Sequence, residues 1–339
     1  MIDPLNALMI FGTVVLLTGV IFFPKFGIYS RMRRARRGLQ RTLIEDALKH
    51  IYDYEYKNIT CTTESIAGAL LISADAATVL LTRLASMGLL ITNDTGVKLT
   101  PDGNSYALRV IRVHRLWERY LADETSVPAT EWHSSAEEAE HQLTESETEA
   151  LAAQIGNPHF DPHGDPIPTP TGEMPPKKGH SLLSLNGGEY AVITHIEDEP
   201  EAVFAQLVAQ GLYVGMQVMM IERSNERVRF AADGEEIILA PLLTNNVTVA
   251  PITDEEQRIT TPMASLASLK IGEQATVLNI SKALRGQQRR RLMDLGIVPG
   301  TVVSAEMRSA SGDPTAYNIR GAVVALRKQH TQMIFIQRN

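Results

Sequence analysis

From Gly179 to its end the chain writes one pattern twice, and few folds accommodate such a repeat. The first copy runs Gly188-Glu189-Tyr190-Ala191-Val192-Ile193, then Leu207-Val208-Ala209-Gln210-Gly211-Leu212-Tyr213-Val214-Gly215, then Val218-Met219-Met220-Ile221. The second runs Gly272-Glu273-Gln274-Ala275-Thr276-Val277-Leu278, then Leu292-Met293-Asp294-Leu295-Gly296-Ile297-Val298-Pro299-Gly300, then Val302-Val303-Ser304-Ala305. A strand, a short helix ending at glycine, a glycine turn and another strand thus recur about 85 residues apart. Each copy predicts a small β-barrel, one over residues 179–253 and one over 254–339.

Upstream, the periodicity is helical. Leu43 to Tyr54 places Leu43, Ala47, Leu48 and Ile51 on one side. Thr62 or Thr63 caps a helix through Leu70, and the next helix runs from about Asp75 to Met87, where Gly88 stops it. Leu89 to Thr92 and Val97 to Thr100 flank the turn Asn93-Asp94-Thr95-Gly96 as a hairpin. Helix, helix-turn-helix and hairpin over residues 40–101 is the order of a winged helix. Residues 102–156 predict two helices, about Asp102–Ala122 and Thr130–Ile155. Residues 157–178 hold Pro158, Pro162, Pro166, Pro168, Pro170, Pro175 and Pro176, which exclude a helix and predict an extended linker.

Residues 5–23 are uncharged and almost wholly apolar, a run long enough to cross a bilayer core of roughly 30 Å. Lys25, Arg31, Arg33, Arg34, Arg36, Arg37 and Arg41 follow with no acidic residue between them, which by the positive-inside rule puts the N-terminus outside. A cleaved signal peptide would carry charge before its apolar run and a small-residue cleavage site after it, and neither is present. The expectation is a single-pass protein of the inner (cytoplasmic) membrane. Its transmembrane helix lies in residues 1–24, a basic juxtamembrane segment spans 25–39, and the C-terminal domains are cytoplasmic. The arginines would contact anionic membrane lipid, a DNA-backbone role being the alternative. The fold class expected is α+β multidomain: a transmembrane helix, a winged helix-turn-helix, a further helical domain, which the family resemblance given below makes a metal-binding and dimerisation domain, and two small β-barrels, which that resemblance makes SH3-like.

A net charge of −7 denies the whole molecule a general affinity for nucleic acid, so any such binding needs a local patch. The single cysteine, Cys61, excludes an intramolecular disulfide framework and suits a reducing compartment as a small packed residue. No nucleophile–base pair or phosphate loop argues for an enzyme.

The chemistry concentrates in two stretches. Arg112 to Arg119 carries His114 and Glu118, and Trp132 to His141 carries His133, Glu137, Glu140 and His141. Residues three and four apart share a helix face, so each set projects together. Nitrogen and oxygen donors without thiolate favour manganese or ferrous iron, with zinc and other divalent transition metals also competent. Trp117 and Trp132 read as core, and His159 and His163 as structural residues of the proline segment. His50, His180 and His330 carry no argument.

On these residues, and on the stretch Asp161-Pro162-His163-Gly164-Asp165-Pro166-Ile167-Pro168, residues 40–175 resemble the DtxR/MntR family of metal-dependent transcriptional repressors. The two C-terminal copies resemble FeoA-like SH3 domains. The resemblance implies metal ligands at Asp46, His114, Glu118, His133, Glu137, Glu140 and His141, and at His195 and Asp198 in the first barrel. Asp46 and Glu137 look like the manganese-sensing type, while His133 looks like the iron-sensing type, which leaves the metal open between Mn2+ and Fe2+. It further implies a homodimer on double-stranded DNA, with metal clamping the winged helix against the dimerisation helices. The recognition helix would offer Ser73, Thr78, Thr82 and Arg83, with Asp75 opposing a phosphate. The expected function is a membrane-anchored, metal-responsive transcriptional regulator. The alternatives are a non-DNA-binding membrane adaptor that regulates a metal transporter through its FeoA-like domains, and a metal-buffering scaffold.

Overall fold

A computed structural model describes residues 28–93, 96–177, 179–232, 235–252 and 264–338, with side chains from residue 39 onward. The apolar run 5–23, on which the expected transmembrane helix rests, lies outside the described residues. Among those described, no single helix is long and apolar enough to cross a membrane. The chain divides into two compact units, Met1–Ile111 and Arg112–Asn339.

The first unit is the expected winged helix. Helix α1 (Ile28–Tyr56) buries Ile44, Ala47, Leu48 and Ile51, a stripe at helical spacing. The stripe packs on Ile66 of α2 (Thr63–Ala69) and on Ala77, Leu80, Leu81 and Leu84 of α3 (Ala74–Ser86). Thr62 starts α2 through a capping box with Ser65, and Ser73 starts α3 by accepting the Ala76 amide. Gly88, at φ +73°, ends α3 and leads into the hairpin β1 (Leu90–Asn93) and β2 (Gly96–Leu99), in register Leu90 to Leu99. Glu45 is buried in this unit, where it accepts from Arg41 at 2.7 Å and from the Tyr106 hydroxyl at 2.8 Å.

Helix α4 (Pro101–Glu124) carries His114 and Glu118 as expected, but the next stretch departs from the single predicted helix. It splits into α5 (Trp132–Ala139) and α6 (Glu145–Gln154). The cause is local. Thr144 and Glu147 form a reciprocal capping box, the Glu147 carboxylate accepting the Thr144 amide at 2.8 Å, and this starts a new helix where apolar periodicity alone would continue the old one. Glu140 therefore caps α5, and His141 falls in the turn.

The proline segment is the second departure, being a buried strap rather than a free linker. Asp161, His163 and Ile167 are buried. Prolines remove donors and keep carbonyls, and α4 supplies the missing donors: Arg112 Nη1 reaches the Pro168 carbonyl at 2.7 Å and Arg115 Nη1 the Pro166 carbonyl at 2.6 Å. Asp161 Oδ1 accepts the His163 and Asp165 amides, each at 2.9 Å, which closes a tight turn.

Both predicted barrels are present, and their elements correspond one to one. The first holds β3 (His180–Ser181), β4 (Tyr190–Ile196), α7 (Glu201–Ala209), β5 (Gln217–Arg223), β6 (Val228–Ala232), β7 (Glu235–Leu239), α8 (Pro241–Thr244) and β8 (Val247–Pro251). Its sheet order is β3-β8-β4-β5-β6-β7. The second holds β9 (Ala264–Ser265), β10 (Gln274–Ile280), α9 (Gly286–Asp294), β11 (Val302–Arg308), β12 (Thr315–Ile319), β13 (Ala322–Leu326), α10 (Lys328–Thr331) and β14 (Ile334–Arg338), with the equivalent order β9-β14-β10-β11-β12-β13. The register even slips at equivalent places, between Ile193 and His195 and between Val277 and Asn279.

The strap is sewn to the first barrel. The Ile196 amide donates to the His163 carbonyl at 2.9 Å. Gly164, at φ +95°, lies so close that a methyl group there would sit 2.0 Å from the Thr194 carbonyl oxygen. Replacing Gly164 by Ala combines strained backbone with that clash. It is expected to lower unfolding stability by roughly 2 kcal/mol or more, read by denaturant titration. An unchanged midpoint would show that the strap does not hold this close approach in solution.

Candidate metal centre

Four elements of the second unit converge on Glu118, which is 1% exposed. Helix geometry brings His114, one turn earlier on α4, to it: Nε2 lies 3.2 Å from Glu118 Oε1. Helix α5 contributes His133, whose Nδ1 is 3.6 Å from the same oxygen. The strap contributes His163, with Nδ1 at 3.5 Å from the other oxygen, Oε2. The loop after β4 contributes Asp198, whose Oδ2 is 3.0 Å from His133 Nδ1 and 3.8 Å from His163 Nδ1. Two groups of potential ligand atoms result, His114–Glu118–His133 and Glu118–His163–Asp198, each with its atoms within 4.8 Å of one another.

Around this core lie further expected residues. Glu140 Oε2 is 2.5 Å from His114 Nδ1, which leaves Nε2 to face Glu118. Its other oxygen, Oε1, lies 3.8 Å from His141 Nε2. Glu137 and the more exposed Glu199 each approach His133 Nε2 at 3.5 Å. The pair His195 and Asp198 is split. Asp198 joins the centre, whereas His195 faces Asp165 at 3.1 Å and the Lys177 amine at 3.2 Å. Asp46 is half-buried on α1 in the first unit.

His163 is the residue that sequence reasoning took for structural. Its ring is 3% exposed, flanked by Phe204 at 5.0 Å and Trp132 at 5.7 Å, and neither nitrogen has a hydrogen-bond partner among the described residues. Leaving such a group unsatisfied costs about 1–3 kcal/mol. An imidazole aimed at two carboxylates in this setting fits a cation ligand. The signal lay in the stretch around Asp161-Pro162-His163-Gly164, but only the fold brings Glu118 and Asp198 to it.

The electrostatics agree with a cation-binding centre. Burial by itself would push the Glu118 carboxyl up, yet His114, His133 and His163 outweigh it and hold the group well below the usual carboxylate range. Burial pulls His133 down, but hydrogen bonding to Asp198, Glu118 and Glu137 pushes it up to about 12. His163, likewise desolvated, is raised to about 9 by Glu118, Asp161 and Asp198. Nearby, burial and Asp165 push Asp161 up to about 8.

The proposed DNA-facing residues belong to the first unit and are all exposed on α3. Ser73 is spent as the helix cap, and the Thr78 and Thr82 hydroxyls donate back to the Ala74 and Thr78 carbonyls at 2.9 and 2.8 Å. Beside Arg83 stand Asp75 and Val79, the latter 69% exposed.

Residues 100–169 match the family described as iron dependent repressor, metal binding and dimerisation domain, and residues 264–338 match the FeoA domain. The chain is 35% identical over 122 residues to the iron-dependent repressor IdeR of Mycobacterium tuberculosis, a match covering 36% of this chain and 53% of that protein. It spans about half the length of the first curated relatives it matches. It is 27% identical over 217 residues to the diphtheria toxin repressor of Corynebacterium glutamicum, covering 60% of this chain and 94% of the relative. Among solved structures it resembles a manganese-dependent transcriptional repressor in complex with manganese, at 26% identity and a TM-score of 0.56, over 61% of this chain and 99% of that one.

These likenesses correct the expected placement in the cytoplasmic membrane. The IdeR and diphtheria toxin repressor relatives are named as repressors, and among the described residues no helix has the length and apolarity of a membrane span. The likeness to these repressors gives no support to a lipid contact or a transporter partner.

Because His133 and His163 are raised above neutrality, a divalent cation must displace protons to use them as ligands. Manganese(II) binding is therefore expected to release protons and to tighten by about tenfold or more from pH 6 to pH 8. Titration calorimetry in buffers of different ionisation enthalpy checks this, and a pH-independent affinity without proton release would contradict it.

Proposed function

We propose that this chain is a metal-responsive transcriptional repressor with Mn2+ or Fe2+ as effector. The observation that carries the reading is the buried convergence of His114, Glu118, His133, His163 and Asp198, with His163 lacking any hydrogen-bond partner among the described residues. The likeness to metal-dependent repressors supports it, as does their occurrence with manganese and with iron in their names.

Glu118, His114, His133, His163 and Asp198 would hold the metal, whose chemistry here is to supply concentrated positive charge among carboxylates. Glu140 orients His114 through Nδ1, so that Nε2, which faces Glu118, would be its metal-binding nitrogen. Because the ligands come from α4, α5, the strap and the loop after β4, gripping them together fixes those elements against one another. Glu137 and His141 are proposed as further ligands beside this centre, and Asp46 on the resemblance alone. His195 is proposed to hold the strap through Asp165 rather than to bind metal.

The repressor is proposed to act as a homodimer on double-stranded DNA, with Ser73, Thr78, Thr82 and Arg83 of α3 toward the major groove. With two of the hydroxyls donating to the helix backbone, sequence reading would lean on Arg83 and on apolar contacts.

DNA binding of the full chain, measured with and without Mn2+ across a range of salt, tests this. The expected outcome is metal-dependent, sequence-selective binding that Glu140→Ala combined with His141→Ala weakens by more than tenfold. Retained metal affinity with no DNA binding in any salt would sink the repressor reading.

A further inference from the structure

We propose that the second barrel is a docking surface for the phosphate backbone of double-stranded DNA, carried by Arg291, Arg320, Arg327 and Lys328. This rests on the repressor reading given above and deepens it, because it assigns the sequence-independent share of DNA binding to a further region of the chain.

The two barrels share a fold and differ in charge. Residues 179–252 hold three lysines and arginines against ten acids, a net of −7. Residues 264–338 hold eleven against four, a net of +7. The connecting stretch with Asp254, Glu255 and Glu256 belongs to neither count. Solubility is served by charge of either sign, so it does not account for opposite signs on two copies of one fold. In a chain whose overall charge is −7, a local patch of this kind is what binding to nucleic acid requires.

Part of that charge is structural. Arg290 pairs with Glu124 at 2.8 Å, Arg285 stands 3.9 Å from Asp123, and Arg289 and Arg338 donate to carbonyls of the barrel. Arg291 on α9, Arg320 between β12 and β13, and Arg327 and Lys328 at the start of α10 differ: all four are exposed, and none forms an ion pair among the described residues. The fold does not ask for them either. Helices α7 and α9 are both 9 residues long, and Arg291 stands where α7 has Gln206. Arg327 and Lys328 stand where the first copy begins α8 with Ala240 and Pro241. The cations also gather from separate elements. His330 of α10 is held below its ordinary value by burial first and then by Arg327 and Arg291, with Asp313 opposing. Arg320 lies over the end of α9, where a methyl group on Gly296 would be 3.1 Å from its Cδ.

The chemistry of the patch selects its partner. The aromatic residues of this barrel are Tyr317 and Phe335, and both are buried. Unpaired bases are held by stacking on exposed rings, and the anchors of protein interfaces are enriched in tyrosine and tryptophan. Guanidinium and ammonium groups without such rings suit the phosphates of a duplex, which fix position without reading sequence. Helix α3 needs that help, since its Thr78 and Thr82 hydroxyls donate to its own backbone.

The test uses the full chain and a mixed-sequence DNA duplex, with fluorescence anisotropy read across a range of salt, with and without Mn2+. The native protein is compared with a variant combining Arg291→Gln, Arg327→Gln and Lys328→Gln, whose unchanged melting temperature shows that it folds. This variant is expected to bind at least tenfold more weakly at low salt and to lose about 2–3 from the slope of log K against log salt, about 0.9 for each phosphate contact removed. Arg327→Gln alone is expected to lose about 0.9, and Arg291→Lys with Arg327→Lys, which keeps the charge, to retain the native slope. An unchanged slope and affinity in the triple variant overturns the proposal and leaves metal-dependent repression untouched. If the native chain binds no duplex in either condition, the repressor reading falls and the proposal with it. If the triple variant instead lowers the mass of the native assembly in analytical ultracentrifugation while the slope stays, the patch meets the acidic barrel of a second copy and the DNA assignment is overturned.

Discussion

Glu118 is a carboxylate taken out of water on the inner side of α4, at 1% exposure, and the helical part of the second unit is built to keep it charged. A buried anion without partners would cost several kcal/mol. Three imidazoles meet it, one from its own helix, one from α5 and one from the strap. The apolar core of this region is small by comparison, its buried members being Leu116, Leu151, Ala152 and Ile167. Hydrophobic burial is non-directional and would tolerate α5 or the strap in several positions. Charge at these distances would not, so the polar centre specifies the arrangement that the small core cannot.

The barrels serve that centre through one repeated feature. In each, the stretch from the end of the first long strand into the following helix reaches the helical part of the second unit. In the first barrel this stretch carries Asp198 and Glu199 to His133, while the end of β4 fixes the strap by donating the Ile196 amide to the His163 carbonyl. In the second, Gly286 approaches so closely that a methyl group there would lie 2.1 Å from the Thr125 carbonyl oxygen, and Arg290 pairs with Glu124 at 2.8 Å. The corresponding stretch thus meets α5 on one copy and the C-terminal end of α4 on the other. A cationic side chain there also suits the negative end of the helix dipole.

What could be read from the chain alone follows from which interactions are local. The winged helix was legible because its caps at Thr62 and Ser73, its stop at Gly88 and its apolar stripe all act within a few residues. His114 and Glu118 were legible for the same reason. The barrels were legible through their repetition. The break at Thr144 was hidden because a capping box competes with apolar periodicity, and the capping box wins where the next turn buries little. The strap was misread because its donors, Arg112 and Arg115, sit about 50 residues away on another element, so proline content alone suggested a solvated linker. His163 was missed along with it. Hydropathy of residues 5–23 argued for a membrane, which the likeness to repressors overrides.

The centre can be satisfied by either of two kinds of positive charge. Protons on His133 and His163 compensate the carboxylates, whose proximity raises the proton affinity of both rings. A proton is a directional partner, though: an imidazolium N–H serves the acceptor it points at. His133 uses one on Asp198 at 3.0 Å, whereas His163 reaches no acceptor within good hydrogen-bond geometry. Protonation therefore answers the charge but leaves the strap imidazole poorly engaged. A divalent ion accepts lone pairs from several directions at once and would engage His163, Glu118 and Asp198 together. The difference between the two states then lies in how firmly the strap and the loop after β4 are held to α4, a change in the grip between packed elements that requires none of them to refold.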